Sequence, residues 1–480
     1  MTSLTFYGGV NEIGGNKILL EDKDTKVFLD FGMSFGKNGM YFDKFMHPRI
    51  SVGIKDYIEM GLIPDLEGIY RDDLMELIDR KPVATDIDAV LLTHAHADHA
   101  NYISFLHEDI TIYMGETCRH ILEAIKEKSA RKLDGEILDF QPRNDKKADI
   151  IERDIRTFRT GKKFTVGSIE VEPLHVDHSV PGAYGFILHT KSGAIVYTGD
   201  IRLHGTKPEM TSEFVKKAKK EKPIALISEG TRINDLDSDE SEQKVYQDCN
   251  NKVQGTKKLI FADFSIKDVD RLRTFYKIAK KNDRRFVIPV DNMPYLKHLS
   301  KDPQLNVPTP DDENIDIFIP KKSTYSKYEK EYFDNNNIIT SDEISKNVGK
   351  YLCAFAFWDF TELIDIKPKP GSLYLRSLSE PYNEEKEIDE QRVTNWLKHF
   401  DFEKFQSHCS GHSKGKDLLE IVSEIDAKTL YPIHTEHAAM FNKVSENRIL
   451  IDEGKKYNLW FRVRCDYENI QVSKMWTRYS

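Results

Sequence analysis

A chain of 480 residues exceeds the ~250 to 300 residues at which single hydrophobic cores stop growing, so two units, or one unit carrying a large insertion, are expected. Its composition (39% hydrophobic, 31% charged, 11% aromatic, net charge −9) is that of an ordinary globular protein; it excludes a uniformly basic nucleic-acid coat but not a local basic groove. The five cysteines (Cys118, Cys249, Cys353, Cys409, Cys465) form no C-x-x-C pair, no apolar run approaches the ~20 residues that span a bilayer, and MTSLTFYGG is no basic-then-apolar leader, so the reading is cytoplasmic, with free thiols and no membrane partner.

In chain order, LTFYGG, NKILLE and KVFLDFG are short apolar segments divided by glycine or charged turns, a strand-turn-strand opening. DIDAVLLTHA predicts a buried strand, Ala89 to Thr93, that empties into THAHADHANY. ISFLHEDI, TIYMG and ETCRHILEAIKEKSA predict helix, strand and helix. Between about 150 and 200, FTVGSIEVEPLHVDHS, GAYGFILHT and GAIVYTGD predict further strands. This alternation implies a layered α/β architecture. From about 232 to 370 the character changes: SDESEQKVYQDC and KDVDRLRTFYKIAKKNDRR are amphipathic helical stretches, LIFADFS, RFVIPVD and YLCAFAF are strand-like, and Lys321 to Asn337 is loop-heavy. From PGSLYLRS onward the earlier style returns, with a helix around Asp389 to Phe400 and two histidine-bearing loops. The division expected is a first unit in two parts, 1–231 and 371–480, interrupted by an α/β insertion at 232–370.

The histidine loop carries the chemistry. In extended chain, residues two apart face the same side, so His94 and His96 can converge on one ion, with the small Ala95 and Ala97 leaving room. Asp98 and His99 then open a helix (HANYISFLH), offset enough to reach a second ion; a carboxylate at a helix N-terminus is favoured as the anion a metal needs. Imidazole and carboxylate ligands suit zinc, and manganese or iron can also be held. Further ligands stand at strand ends: His178 in LHVDHSVPG, with His175 as its rival, and Asp200 in VYTGD, placed to bridge two ions. His204 is read as structural.

H-x-H-x-D-H followed by His178 and Asp200 resembles the successive metal motifs of the metallo-β-lactamase fold, and Asp30 in VFLDFG matches that family's early aspartate, which orients the metal loop without binding metal. GGVNEIGGNKILLE resembles the opening of ribonuclease J. Glu229 at the end of IALISEG, His412 in S-G-H and His434 in TLYPIHTEH resemble motifs A, B and C of the β-CASP nucleases, seven motifs in order over nearly the whole chain. The resemblance implies a metallo-β-lactamase αββα sandwich with an inserted α/β β-CASP domain. RNA-directed members have histidine at motif C where the DNA-repair branch usually has valine, and His434 therefore implies RNA. The chain departs from ribonuclease J in having Ala100-Asn101-Tyr102 after the metal motif and His434-Thr435-Glu436 in place of H-G-E. With so little chain after His434, the extra C-terminal domain of many bacterial ribonucleases J is not expected; a homodimer stays open.

The reaction this implies is hydrolysis of RNA phosphodiester bonds, from the 5′ end, internally, or both. Two zinc ions (or manganese) ~3.5 to 4 Å apart would hold a bridging hydroxide. The reading gives His94, His96 and His178 to one ion, Asp98, His99 and His434 to the other, and makes Asp200 the bridge. His412 serves the scissile phosphate or protonates the leaving oxygen, the Ser410–Gly411 backbone forms an anion nest beside it, and Glu229 orients a site histidine. His408 and His437 are read as structural. The competing readings are a DNA nuclease, a thioester or lactone hydrolase on the same fold, and a non-catalytic RNA-binding subunit. Small-molecule hydrolases are typically much shorter chains without S-G-H after an insertion, and non-catalytic relatives usually lose ligands.

Overall fold

The computed structural model describes residues 1–459 apart from 44, 129–131, 146, 336 and 380–383; Cys465 lies outside the described residues. A first sheet of seven strands opens with the antiparallel meander Thr2–Gly8, Lys17–Asp22 and Thr25–Phe31. It continues in parallel through Ala89–Leu92, Thr111–Gly115 and Ile155–Phe158, while Lys456–Leu459 closes the other edge. A second sheet of six strands runs antiparallel through Phe164–Val166, Ile169–His175, Tyr184–Thr190 and Gly193–Tyr197, then parallel through Ala225–Glu229 to Leu430–Ile433.

The apolar faces of the two sheets meet, with Leu4, Phe6, Ile18 and Leu91 of the first against Phe186, Leu188 and Ile227 of the second. Outside the second sheet lie helices Pro208–Lys220 and Gly415–Ile425, which bury Phe214, Val215, Leu418 and Ile421 on it. Outside the first lies helix Glu116–Lys128, whose Cys118, Ile121, Leu122 and Ala124 form the i, i+3, i+4 stripe that a covering helix needs. The layers are therefore α, β, β, α, as the sequence led us to expect.

The third sheet has seven parallel strands in the order Ile338–Ile339, Ile315–Phe318, Arg285–Pro289, Tyr351–Cys353, Ile260–Asp263, Ser372–Arg376, Phe402–Gln406. Helices Glu242–Val253, Val269–Lys281 and Met293–Leu299 bury one face; Ser341–Lys346, Leu363–Ile366 and Glu384–His399 pack on the other. Burial on both faces is why these strands read as unbroken apolar runs. The expected boundary at 370/371 returned Ser372–Arg376 to the first unit. Instead this strand pairs with Ile260–Asp263 and is itself paired by Phe402–Gln406, so the third sheet runs to Gln406. A buried strand's pattern reports two covered faces, not which sheet it joins.

Among the described residues no helix is long and apolar enough to cross a membrane. Cys118, Cys249, Cys353 and Cys409 are buried and free.

Candidate metal centre

The site lies where strands end. In the first sheet the parallel neighbours Thr25–Phe31 and Ala89–Leu92 deliver Asp30 and the His94 loop. In the second, Gly193–Tyr197, Ala225–Glu229 and Leu430–Ile433 are adjacent and parallel, so Asp200, Glu229 and His434 emerge side by side at their carboxyl ends. Clefts at the carboxyl ends of parallel strands are the usual ligand positions in α/β proteins. His412 follows Phe402–Gln406, the last strand of the third sheet, so the segment that carries it connects the third sheet to the site.

All seven expected ligands come together. His94, His96, His178 and Asp200 offer ligand atoms within 4.8 Å of one another, as do Asp98, His99 and His434. Asp200 faces both groups: its Oδ2 is 3.5 Å from His94 Nε2 and 3.2 Å from His99 Nε2, and its Oδ1 is 3.8 Å from His434 Nε2. His434 Nε2 lies 3.1 Å from Asp98 Oδ2.

Hydrogen bonds behind the site fix which ring nitrogen faces inward. His99 Nδ1 donates to Asp30 Oδ2 (2.7 Å) and His178 Nδ1 to the Gly411 carbonyl (2.5 Å). The Thr93 hydroxyl donates to Asp30 (2.8 Å) and so accepts from His94 Nδ1 (3.0 Å). The Thr231 hydroxyl accepts from His434 Nδ1 (2.8 Å) and donates to the His434 carbonyl (3.4 Å). Each of these four rings thereby turns its Nε2 to the centre. His96 differs, meeting His94 Nε2 (3.0 Å) and His178 Nε2 (3.1 Å) with its Nδ1.

The residues fit metal. His94 Nε2 and His178 Nε2 both face His96 Nδ1, which carries at most one N–H for two lone pairs, whereas a cation among the three rings would satisfy all of them. His99 Nε2 and Asp200 Oδ1 are buried without a hydrogen-bond partner, a costly state for polar atoms that a metal ligand escapes. Burial drives the ionisation of His94 and His178 well below the ordinary range and that of His96 down to about 4, so all three are neutral ligands. Burial opposes the charged form of Asp98 and Asp200, but His99 and His434 outweigh it and hold both carboxylates ionised. His99 is the exception among the rings: burial favours its neutral form, yet Asp200, Asp30 and Asp98 raise it, so an incoming cation must displace a proton there.

A third grouping joins Asp200, Glu229 and His412. Both Glu229 oxygens approach His412 Nδ1 (3.1 and 3.2 Å), and Glu229 is fixed in turn by the Ile201 and Thr231 N–H groups (2.8 and 3.2 Å). Burial pulls His412 down, but Glu229 and Asp200 outweigh it and lift the ring to about 9. The expected anion nest is not formed. The Ser410 N–H donates to Glu240 Oε1 (3.2 Å) and the His412 N–H to Ser410 Oγ (3.1 Å), while the Ser410 and Gly411 carbonyls face His204 and His178. A phosphate at Ser410 would compete with a carboxylate for its N–H, so the His412 side chain is the stronger phosphate contact of this loop.

His175, the rival of His178, and the histidines read as structural lie outside the three groupings. His175 stacks on Tyr184, ring centres 4.1 Å apart; His204 Nε2 holds the Ser410 carbonyl (2.9 Å); His408 lies against Arg271; His437 is exposed. The sequence reading missed Thr93, Thr231, Tyr197 and Asn16 behind the ligands. Only the adjacency of Thr93 and Thr231 to site residues could have marked them. It missed Gly32 and Gly14 as well: a Cβ on Gly32 would lie 1.8 Å from the Asp98 carbonyl oxygen, and one on Gly14 2.6 Å from Asp98 Oδ2.

The comparisons agree with this geometry. A family model described as a beta-lactamase superfamily domain matches residues 70–220. With the α, β, β, α layers, this match gives a metallo-β-lactamase fold, and the His/Asp cluster fits metal binding. Its particular form is ribonuclease J-like. It is 22% identical over 452 residues to ribonuclease J of Helicobacter pylori (strain J99), covering 90% of this chain and 56% of that one. It is 21% identical over 303 residues to ribonuclease J of Mycoplasma genitalium (62% and 46%), and 26% identical over 234 residues to that of Methanocaldococcus jannaschii (47% and 45%). The chain spans about half the length of these relatives. A solved protein of unknown function from Enterococcus faecalis V583 superposes with a TM-score of 0.72 at 24% identity, covering 95% of this chain and 99% of that one.

Proposed function

We propose that this chain is a metal-dependent ribonuclease that hydrolyses RNA phosphodiester bonds, from the 5′ end, internally, or both, in the cytoplasm. The observation that carries the proposal is the convergence of seven ligand side chains in two groups, joined through Asp200, beside a histidine that needs no metal for its orientation. The name ribonuclease J on its relatives and His434 at the last motif support RNA over DNA. Thioester and lactone chemistry is disfavoured because the relatives named ribonuclease J match over most of the chain, the third-sheet unit included.

His94, His96 and His178 would hold one ion, Asp98, His99 and His434 the other, with Asp200 facing both; zinc fits this donor set and manganese is the alternative. When bound, the two ions would supply Lewis acidity at a phosphate oxygen and activate water at neutral pH. The protein's own part is positional. Asp30, Thr93, Thr231 and the Gly411 carbonyl fix the ring tautomers, so the ligands need no reorganisation. Glu229 keeps His412 Nδ1 engaged, which leaves Nε2 for the substrate, where it stabilises a phosphate oxygen or gives a proton to the leaving 3′-oxygen.

Elemental analysis of protein purified under metal-replete conditions should give close to two transition-metal ions per chain, and Asp200→Ala should lose metal and hydrolysis together. Digestion of a 5′-labelled monophosphorylated RNA and its DNA counterpart then reads the substrate and the mode. Labelled mononucleotide first means 5′ exonuclease action, and labelled internal fragments mean endonuclease action. A chain without stoichiometric metal, or one that cuts DNA in preference to RNA, ends this reading.

A further inference from the structure

Asp30 stands behind both ligand groups, in a left-handed backbone conformation (φ +56°) that a side chain adopts only at some cost. It is fully buried and accepts from four groups. Its Oδ1 takes the Thr93 N–H (2.7 Å); its Oδ2 takes the Thr93 hydroxyl (2.8 Å), His99 Nδ1 (2.7 Å) and the Tyr197 hydroxyl (2.8 Å). Two of these contacts run on to opposite metal positions: His99 belongs to the group with Asp98 and His434, whereas the Thr93 hydroxyl passes the same carboxylate's influence to His94 in the other group. The third comes from behind. Tyr197, buried on the neighbouring sheet, is held by Asn16 Nδ2 (2.9 Å), and the Asn16 and Gly15 N–H groups also grip the Asp98 carbonyl (3.1 and 3.0 Å). The buried Tyr197 hydroxyl thus finds its acceptor on the same Asp30 oxygen that takes His99 Nδ1, and so helps fix that oxygen's position against the ring.

We propose that Tyr197, Asn16 and Thr93 are positioning residues that divide one carboxylate between two metal positions: the Tyr197–Asn16 pair steadies Asp30 for His99, and the Thr93 hydroxyl relays it to His94. The proposal rests on the two-metal reading above. It makes the His99 position adjustable through Tyr197 and Asn16, whereas the Thr93 hydroxyl, 3.0 Å from His94 Nδ1 and 3.3 Å from His99 Nδ1, touches both positions.

The test is metal affinity, not turnover. Wild-type protein, Tyr197→Phe, Asn16→Ala and Thr93→Val are stripped, then titrated with zinc against a chromophoric chelator, and thermal unfolding of each metal-free form is recorded. Loss of a partner behind a ligand typically costs about 10- to 100-fold in metal affinity. Tyr197→Phe and Asn16→Ala should weaken the same one of the two binding steps by about that factor, and Thr93→Val, which touches both His94 and His99, should weaken both steps. The metal-free unfolding midpoint of Tyr197→Phe should move little. Unchanged isotherms, or both steps falling equally in every variant along with the metal-free midpoint, would overturn the proposal by reducing these residues to scaffolding. If Tyr197→Phe fails to fold, Asn16→Ala against Thr93→Val still decides it. Wild-type protein that binds no zinc would instead refute the metal reading itself, which tells the two failures apart.

Discussion

His412 and His434 are both loop histidines that follow a strand, and their surroundings separate them. His434 sits at φ +54° with Nδ1 on Thr231 and Nε2 against Asp98, the arrangement of a ligand held from behind. His412 turns Nδ1 to Glu229 and approaches Asp200 only to 3.9 Å. His434→Ala should therefore lower occupancy of one metal position, with partial recovery of hydrolysis when zinc or manganese is added. His412→Ala should keep its metal and lose ~10²- to 10⁴-fold in kcat, because an interaction made chiefly in the transition state is lost. Metal analysis beside single-turnover rates reads both, and a His412→Ala protein that has shed metal would reverse the assignment. The ligand residue types were legible in sequence because H-x-H-x-D-H compresses four of them into six positions. The hydroxyls of Thr93, Thr231 and Tyr197 were not, because their importance lies in pairings up to 203 residues apart along the chain.

At the scale of elements, local pattern predicted strands and helices well where one face or two faces are buried, and failed where tertiary contacts take over the backbone. The helix expected from Asp98 through the apolar HANYISFLH shrinks to Ala97–Ala100 followed by a 3-10 turn, Asn101–Phe105. The cause is the Asp98 carbonyl, which accepts from Gly15 and Asn16 of the first sheet instead of continuing a helical ladder. The strand Ser372–Arg376 was foreseen, but its sheet was not, and the difference bears on Asp263. Pairing brings Tyr374 beside the end of Ile260–Asp263, where its hydroxyl donates to the buried Asp263 carboxylate (2.5 Å). Burial raises Asp263 to about 6 although the Tyr374 hydrogen bond and Arg376 oppose it. Since the folded value exceeds the ordinary 3.8, the folded protein holds a proton here that the unfolded chain releases. This contribution to stability is full below about pH 4 and is lost as pH rises through about 6; each tenfold gain in proton affinity on folding is worth about 1.4 kcal/mol. Asp263→Asn should flatten that part of the stability profile, measured by urea unfolding between pH 4 and 7. An unaltered profile would mean that Asp263 is already ionised throughout the range.

Across the whole molecule, the site depends on how the third sheet is joined to the first two: helix Glu116–Lys128 packs on Met293–Leu299 in one shared apolar cluster, and beside His412 the joint is an ionic network. Arg202, fully buried next to the second sheet, reaches Asp177 (2.9 Å), Glu242 (2.9 Å), Asp270 (2.7 Å) and the Ser410 carbonyl (3.3 Å). Arg271, equally buried in helix Val269–Lys281, pairs with the same Glu242 and holds the Cys409 carbonyl (2.9 Å). Two guanidiniums thus clamp the loop that presents His412, one from each unit, with Glu242 shared between them. Removing one partner from such a network strands the others: Arg202→Met would leave Asp177, Glu242 and Asp270 with a buried cation missing, at a cost of about 3 to 5 kcal/mol. Because the stranded carboxylates lie on both sides of the joint, the loss should fall on the coupling between units more than on either core. Wild-type protein should unfold in urea as one transition, and Arg202→Met as two, with the fluorescence of Trp358 and Trp396, read in a background where Trp460 and Trp476 are replaced by Phe, separating from zinc release at the first. The double variant Arg202→Met/Glu242→Gln should recover part of the loss, since it removes a stranded charge together with its partner. A single, uniformly shifted transition in Arg202→Met would show that apolar contacts, and not this network, hold the two halves of the site in register.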